Sequence, residues 1–286
     1  MDGRIWSARW LAGGAVGVAV HLLFAVTVCY LYRFLEGSPP QTNGSDAATN
    51  VLLALQFSVI HSVLLLPNVR RWFQRAIAPA FYGLFFCTIT CITLLLTFAC
   101  WQVSATCIWE LDGVPGRVMS AAFIATWGAL LYSLYLSGLG YQTGFTPWWY
   151  WLRGARLPTR KFNPRGAYRF LRHPVYLSFM GLLWFTPHMT TDRLVLSLVW
   201  SAYIFVGSWL KDARLLYFLG DQYREYQARV PGYPGMIVGP LARRPWVRDP
   251  RNVLVPAPVA VARNQSIDLN TARQSKSATL CGVSGK

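Results

Sequence analysis

Six apolar runs, separated by short polar segments, most strongly constrain what this chain can fold into. They cover Trp10–Leu35, Val51–Leu66, Ala78–Trp101, Val118–Leu139, Pro174–Met189 and Leu194–Leu210. A helix needs about 20 apolar residues to cross ~30 Å of hydrocarbon, and the first, third and fourth runs meet that length. Only Thr190–Arg193 separates the last two, shorter runs, so we expect them to form a short helical hairpin packed against the other helices. The pattern predicts an all-α fold, a polytopic membrane helical bundle of about six transmembrane helices.

The composition supports a membrane protein and argues against a soluble nucleic-acid-binding domain. The chain is 54% hydrophobic and only 13% charged, and its formal net charge is +16. Such a positive charge is typical of proteins that bind nucleic acid, but here the basic residues lie between apolar runs and not on one soluble face. We therefore expect membrane lipid as a partner, through anionic headgroups, and no nucleic acid.

The cysteines and the common catalytic motifs point to no metal or phosphate site. Cys87 and Cys91 have the spacing of one helix face, but further metal-ligating residues are missing nearby. We interpret them as small buried hydrophobic residues and expect no metal site. The sequence also has no glycine-rich phosphate loop and no Gly-x-Ser-x-Gly motif.

The loop charges predict the orientation of the chain. The segment from Tyr141 to Arg172 holds seven basic residues and no acidic one, whereas the alternate loops carry Glu36, Asp46, Glu110, Asp112 and Asp192. Because basic loops stay in the cytoplasm, we expect both termini and this long segment to be cytoplasmic, in a multi-pass protein of the bacterial inner membrane. We interpret the aromatic cluster Trp148–Trp151 in the same segment as an anchor at the membrane interface.

A candidate site lies where the basic segment meets the fifth apolar run, at Arg172-His173-Pro174. Proline is favoured at the first helical position because the N–H that it lacks would be unpaired there. This places His173 at or near the N-cap, where free backbone N–H groups and the positive end of the helix dipole converge. Arg172 adds a positive charge, so the sequence predicts a site for a carboxylate or phosphate at the cytoplasmic interface.

A second set of polar residues follows the sixth apolar run. The hairpin returns the chain to the side where the fifth run began, so we expect Asp212 to lie near His173. Tyr223 and Tyr226 have the spacing of one face of a following amphipathic helix. Anion donors, a carboxylate and aromatic rings together suit a zwitterionic ligand that carries a sulfonium. The alternative is a ligand-free surface, with a snorkelling arginine, a capping histidine and an exposed ion pair.

These residues also carry a family resemblance. Gly166–Pro231 resembles the membrane methyltransferase superfamily, which includes isoprenylcysteine carboxyl methyltransferases, phospholipid methyltransferases and NnrU-like proteins. The shared pattern is Arg-His-Pro-x-Tyr at a helix start, an acidic pair two helix lengths on, and Tyr-x-x-Tyr before Val-Pro. Within this group, Arg172–Leu177 and Trp184–Thr190 most closely resemble the methanethiol S-methyltransferases.

The resemblance implies S-adenosyl-L-methionine as the methyl donor. The implied cofactor-binding residues are His173, Pro174, Tyr176, Asp212, Tyr223 and Tyr226. The implied catalytic residues are Arg172, His173 and Tyr176, and His61, which with Ser62 matches an earlier His-Ser pair of the family, is the candidate substrate contact. One departure stands out, because Lys211-Asp212 replaces the Glu-Glu pair of the family. Either the pocket uses only the second acid, or the cofactor site is altered or lost.

The function that we expect is that of an integral-membrane S-adenosylmethionine-dependent methyltransferase acting on a small thiol or another lipophilic acceptor. A non-catalytic NnrU-like membrane protein and a lipid-binding structural membrane protein are the alternatives. We expect residues 1–242 to form the transmembrane methyltransferase-like domain, with its family-like core at about 50–236. Residues 243–286 are rich in Pro, Ser, Asn and Arg and are expected to be a disordered cytoplasmic tail. The sequence indicates no oligomeric state.

Overall fold

Long apolar helices dominate the structure, a computed structural model that describes residues 8–37, 46–159 and 162–246. Within these ranges, five helices are long and apolar enough to cross a membrane: α1 (Ala8–Glu36), α2 (Ala47–Leu65), α4 (Pro79–Cys100), α5 (Gly113–Ser137) and α9 (Thr191–Leu219). Shorter helices connect them: α3 (Pro67–Phe73), α6 (Leu139–Gln142) and α7 (Phe145–Leu152). The protein is therefore an all-α integral membrane protein. Most of the expected tail lies beyond Trp246, outside the described residues.

The fifth predicted span is only partly helical, so its predicted extent is wrong from residue 185 onward. Helix α8 (Pro174–Trp184) ends early, and strand β2 (His188–Thr190) pairs antiparallel with strand β1 (Cys107–Glu110). Pro187 explains the early end, because it lacks the N–H for a helical bond to the carbonyl of Leu183. That carbonyl instead accepts a hydrogen bond from Ser197 Oγ at 3.0 Å. An 11-residue helix is only about 16 Å long, so the extended segment that follows completes the path across the bundle.

The sixth predicted span is longer than expected. Helix α9 has 29 residues and already contains Asp192 and Arg193 in its first turn, which the sequence had suggested were loop residues. Asp192 is buried and accepts hydrogen bonds at 3.0 Å from Trp101 Nε1 and from the backbone N–H of Ser104. A carboxylate at this position is also stabilised by the positive end of the helix dipole. The hairpin of α8 and α9 therefore exists, but its two arms are unequal in length.

Polar side chains fasten the helices to one another inside the bundle. Gln56 of α2 donates to the Thr93 carbonyl of α4 at 2.8 Å, and Trp200 of α9 donates to the Ala54 carbonyl of α2 at 3.3 Å. Trp184 Nε1 of α8 donates to Ser201 Oγ of α9 at 3.0 Å. Hydrogen bonds of this kind hold transmembrane helices together because lipid offers them no competing partner. They join α2 to α4 and both α2 and α8 to α9.

Trp148 of the α7 aromatic cluster packs inside the protein, contrary to the interface anchor that the sequence suggested for it. Trp148 is buried, and its Nε1 donates to the Gly13 carbonyl of α1 at 2.8 Å. The ring lies so close to Gly17 that a Cβ there would come within 2.0 Å of it. The glycines of α1 therefore form the surface against which α7 docks.

Candidate active site

The start of α8 lies directly against α9. Helix α8 (Pro174–Trp184) begins with Pro174 at its first position and His173 at its N-cap, as predicted. The His173 side chain makes no capping hydrogen bond. Its Nε2 instead lies 3.0 Å from Asp212 Oδ1, so the expected proximity of these two residues is confirmed. Their side chains are almost entirely buried, with His173 0% and Asp212 2% exposed.

Arg172 is also buried, which corrects its predicted placement as a free charge at the interface. It is 2% exposed, and its Nη2 lies 3.2 Å from Asp212 Oδ2 and 2.9 Å from the Leu241 carbonyl. Its backbone N–H donates to the Pro231 carbonyl at 2.9 Å. A snorkelling arginine or a surface ion pair would be exposed to water or headgroups. The burial of this pair therefore argues against a snorkelling arginine and an exposed ion pair at this position.

The two tyrosines of α10 (Asp221–Arg229) lie on one helix face, as predicted, but make different contacts. Tyr223 O–H donates to Asp212 Oδ1, whereas Tyr226 O–H donates to the Tyr168 carbonyl at 2.6 Å. Burial raises the pKa of both phenols, and the charge of Asp212 raises that of Tyr223 further, so both remain hydrogen-bond donors. Tyr223 thus belongs to the Asp212 cluster, and Tyr226 positions the 3₁₀ turn that leads into Arg172.

Asp212 is already surrounded by donors, so it is not an open carboxylate. Arg172, His173 and Tyr223 all contact it. Burying an ion pair is favourable only when the geometry is good and further hydrogen bonds satisfy the charges. Asp212 therefore orients its neighbours, and the free binding capacity lies on those neighbours.

That free capacity consists of three buried nitrogens. Arg172 Nε and Nη1 and His173 Nδ1 have no hydrogen-bond partner within residues 8–37, 46–159 and 162–246. Burial lowers the pKa of His173 more than Asp212 raises it, so the ring is neutral. Since Nε2 faces a carboxylate it carries the proton, which leaves Nδ1 as an acceptor. The two Arg172 nitrogens can donate to the carboxylate of an α-amino acid moiety. The His173 nitrogen can accept from its ammonium group.

Tyr176 and Lys211 form the next layer of the site. The Tyr176 ring lies 5.6 Å from the His173 ring, and Lys211 Nζ lies 5.0 Å from the centre of the Tyr176 ring. Successive helical residues point about 100° apart, so Lys211 leaves α9 on a different face from Asp212. Lys211, which replaces the first acid of the family pair, therefore does not lie between His173 and Asp212.

His61 lies on α2, outside the contacts of the Asp212 cluster. Its Nδ1 is 3.4 Å from Thr90 Oγ1, and its ring packs 5.0 Å from Phe86 and 6.5 Å from Tyr203. Ser62 Oγ donates to Tyr203 O–H at 3.5 Å, which connects α2 to α9. His188, in contrast, lies at the opposite end of the molecule and pairs with Glu110 at 3.3 Å.

The sequence argument missed the segment that follows α10. The Tyr233 ring packs 5.7 Å from the His173 ring, and its hydroxyl pairs with Ser208 of α9. Gly232 allows this close approach, because a Cβ there would meet the Leu241 carbonyl at 2.8 Å. The Pro231-Gly232 turn was the available signal, although its contact with His173 depends on the path of the chain after the turn.

Comparisons with known proteins identify relatives of the chain. The methanethiol S-methyltransferase 1 of Bradyrhizobium diazoefficiens is 30% identical over 224 residues, which cover 75% of this chain and 79% of the relative. The methanethiol S-methyltransferase of a Pseudomonas species is 29% identical over 243 residues, covering 80% and 90%. Rat Nurim is 25% identical over 222 residues, covering 68% and 84%.

No family model matches the chain, and no solved structure matches it. The two methyltransferase relatives cover most of the chain. The chain therefore belongs to the methanethiol S-methyltransferase family of membrane methyltransferases.

Proposed function

We propose that this membrane methyltransferase takes its methyl group from S-adenosylmethionine and transfers it to a small thiol of the methanethiol kind. The names of the relatives support the reaction class and the acceptor. The observation that carries the proposal is the buried cluster of Arg172, His173 and Asp212, with its three unpaired nitrogens. A methyl donor with an amino acid moiety fits those nitrogens, which otherwise would be costly to bury.

The residues of the cluster have separate roles in this proposal. Arg172 Nε and Nη1 hold the carboxylate of the donor, and His173 Nδ1 accepts a hydrogen bond from its ammonium group. Asp212 and Tyr223 hold Arg172 and His173 in position through the contacts described above. The free N–H groups that follow Pro174 add the positive end of the α8 dipole. S-adenosylmethionine supplies a methyl group on a sulfonium that is already activated, so the protein mainly positions the partners and excludes water.

The loop charges support a cytoplasmic site. The segment that precedes α8 carries the seven basic residues noted above, and the cluster lies directly after it. We propose that both termini and the cluster face the cytoplasm of a bacterial inner membrane. A methyl donor dissolved in the cytoplasm would then reach His173 without crossing the bilayer.

Calorimetric binding of S-adenosylmethionine to the purified protein tests the cofactor assignment. His173→Gln keeps an amide donor for Asp212 but loses the Nδ1 acceptor, so we expect roughly 10-fold to 100-fold weaker binding. His188→Gln, at the far end of the protein, is the matched control and is expected to bind as the wild type does. Absence of saturable binding to the wild type, or equal affinity of both variants, would contradict the assignment.

A methyl-transfer assay tests the acceptor class. Radiolabelled S-adenosylmethionine is offered with methanethiol, with an isoprenylated cysteine and with phospholipid vesicles. We expect label transfer to methanethiol and little to the other two. Transfer mainly to the carboxyl or lipid acceptor, with normal cofactor binding, would replace the acceptor part of the proposal and leave the cofactor part standing.

A further inference from the structure

We propose that one face of α9, formed by Tyr203, Gly207, Lys211 and Arg214, binds the acceptor as a thiolate. This inference rests on the proposed function and assigns residues to the acceptor side of the same reaction. We call these four residues the acceptor face. Lys211 and Arg214 supply its positive charge, and Gly207 supplies its space.

The spacing of the four residues places them on one side of α9. Positions 203, 207, 211 and 214 are separated by four, four and three residues, which aligns them along a helix. All four are partly buried, whereas the neighbouring stripe Ile204, Ser208 and Asp212 is fully buried. The acceptor face therefore lies next to the cofactor cluster and remains accessible.

Gly207 provides an opening in the middle of the acceptor face. A Cβ added to it would meet no heavy atom within 4 Å, although the residue is partly buried. Along α9, Tyr203 lies one turn before Gly207, and Lys211 lies one turn after it. A partly enclosed space between an aromatic ring and an ammonium group suits a small molecule with an apolar end and an anionic end.

The other walls of this space come from α2 and α8. Ser62 and His61 of α2 contact Tyr203, and Tyr176 of α8 lies under the Lys211 ammonium. Arg214 is close enough to interact electrostatically with both His61 and Tyr176. The space thus lies between the family-matching His61-Ser62 pair and the His173 motif, with Lys211 and Arg214 on the α9 side.

The chemistry of a thiol acceptor is favoured by such cations. The S–H bond breaks as the thiol binds, and the proton leaves to solvent water while the sulfur keeps the electron pair. That pair forms the new bond to the methyl carbon, and the old bond from this carbon to the donor sulfur breaks, leaving its electron pair on the donor sulfur. Opposite charges within ~4–6 Å favour the ionised form of such a group. Arg172 is unsuited to this role because Asp212 and the Leu241 carbonyl occupy its Nη2, and the proposed function assigns its Nε and Nη1 to the donor carboxylate.

Other ionisable groups also surround the two cations. From α9 they are Tyr203 and Asp212, from α8 and its N-terminus Tyr176, His173 and Arg172, from α2 His61, and after α10 Tyr233. Asp212 is the only carboxylate in this group, and Arg172, His173 and Tyr223 already contact it. The acceptor face therefore keeps its net positive charge toward a bound sulfur.

The pH dependence of kcat/KM for methanethiol tests the role of Lys211. In Lys211→Met, the thiolate loses a stabilising charge, so we expect about a 10-fold or greater loss near neutral pH that is recovered as pH rises. Lys211→Arg should restore most of the activity at neutral pH. Arg224→Gln removes an exposed cation from α10 and is the control that should leave the profile unchanged. A Lys211→Met profile parallel to that of the wild type would overturn the proposal.

Filling the opening at Gly207 gives an independent test. Gly207→Leu should raise the KM for methanethiol at least 10-fold, and Gly128→Leu is its control, because a Cβ at Gly128 of α5 also meets nothing within 4 Å. S-adenosylhomocysteine binding, measured by calorimetry, should be unchanged in both variants and in Lys211→Met. An unchanged KM in Gly207→Leu would contradict the acceptor face. Failure of the wild type to bind S-adenosylhomocysteine would instead contradict the proposed function.

Discussion

At the scale of single residues, Asp212 is the centre of the site. It lies inside the protein with a guanidinium, an imidazole and a phenol around it. Removing one partner of such a pair leaves a buried charge without compensation, which costs about 3–5 kcal/mol. The conservative variant His173→Gln avoids this penalty, because its amide can still donate to the carboxylate. It therefore separates ligand binding from stability, which replacement of Asp212 would not.

The pKa of His173 predicts how stability depends on pH. Burial holds this pKa below the ordinary value of about 6.5, so the folded protein keeps the ring neutral while the unfolded chain takes up a proton. The contribution of the neutral ring to the free energy of unfolding is therefore present above pH ~6.5. It is lost as pH falls toward the lowered pKa of the folded state. Thermal unfolding in detergent should show a steeper fall of Tm from pH 7 to pH 5 for the wild type than for His173→Gln.

The control for this measurement is His188→Gln, which should keep the steep fall because the His188 ring is largely solvated in the folded protein. Equal slopes for the wild type and His173→Gln would contradict the neutral, buried state of His173. The neutral state also leaves Nδ1 free as a hydrogen-bond acceptor. The binding test and the thermal unfolding test therefore both report on the protonation of His173.

At the scale of elements, small residues decide where helices meet and prolines decide where they end. Pro187 shortens α8 and frees the Leu183 carbonyl for Ser197 of α9. Gly17 of α1 allows the Trp148 ring of α7 to approach the helix backbone, and Gly13 does the same for the Trp151 ring. Close approach at small residues is a common basis of packing between membrane helices.

A pair of glycine substitutions in α1 tests this packing. Gly17→Ala places a Cβ within 2.0 Å of the Trp148 ring, so we expect a loss of about 1–3 kcal/mol from overpacking. Gly14→Ala, on the same helix, places its Cβ at an ordinary 3.6 Å from Leu152 and should be neutral or slightly stabilising. Thermal unfolding of both variants in detergent measures the difference, and equal Tm values would contradict the docking of α7 on α1.

At the scale of the whole molecule, one end of the bundle carries the Asp212 cluster and the other carries the β1–β2 pair. The strands join the α4–α5 connection to the start of α9, far from His173 along the helices. The basic segment before α8 lies at the cluster end. By the positive-inside rule, we expect the cluster to face the cytoplasm and the strands to face the other side.

Reporter fusions test this orientation. Green fluorescent protein fused after Lys286 should fluoresce, and alkaline phosphatase at the same position should be inactive, because the C-terminus is expected in the cytoplasm. Alkaline phosphatase inserted after Asp112, between β1 and α5, should be active. The reverse pattern would place the cofactor cluster on the wrong side for a cytoplasmic methyl donor.

The sequence by itself determined the membrane class, most of the long helices and the approach of His173 to Asp212. Long apolar runs form helices in lipid, since their backbone must satisfy its own hydrogen bonds. Pro174 marks a helix start from local geometry alone. Tertiary structure alone decided that Arg172 is buried, that Asp212 already has partners, and that Tyr233 and Leu241 complete the cluster. It also separated Lys211 from Asp212. The two side chains leave α9 in different directions, and this difference has a consequence only once α8 is packed against α9. These features depend on contacts between residues distant in the chain, which no local pattern encodes.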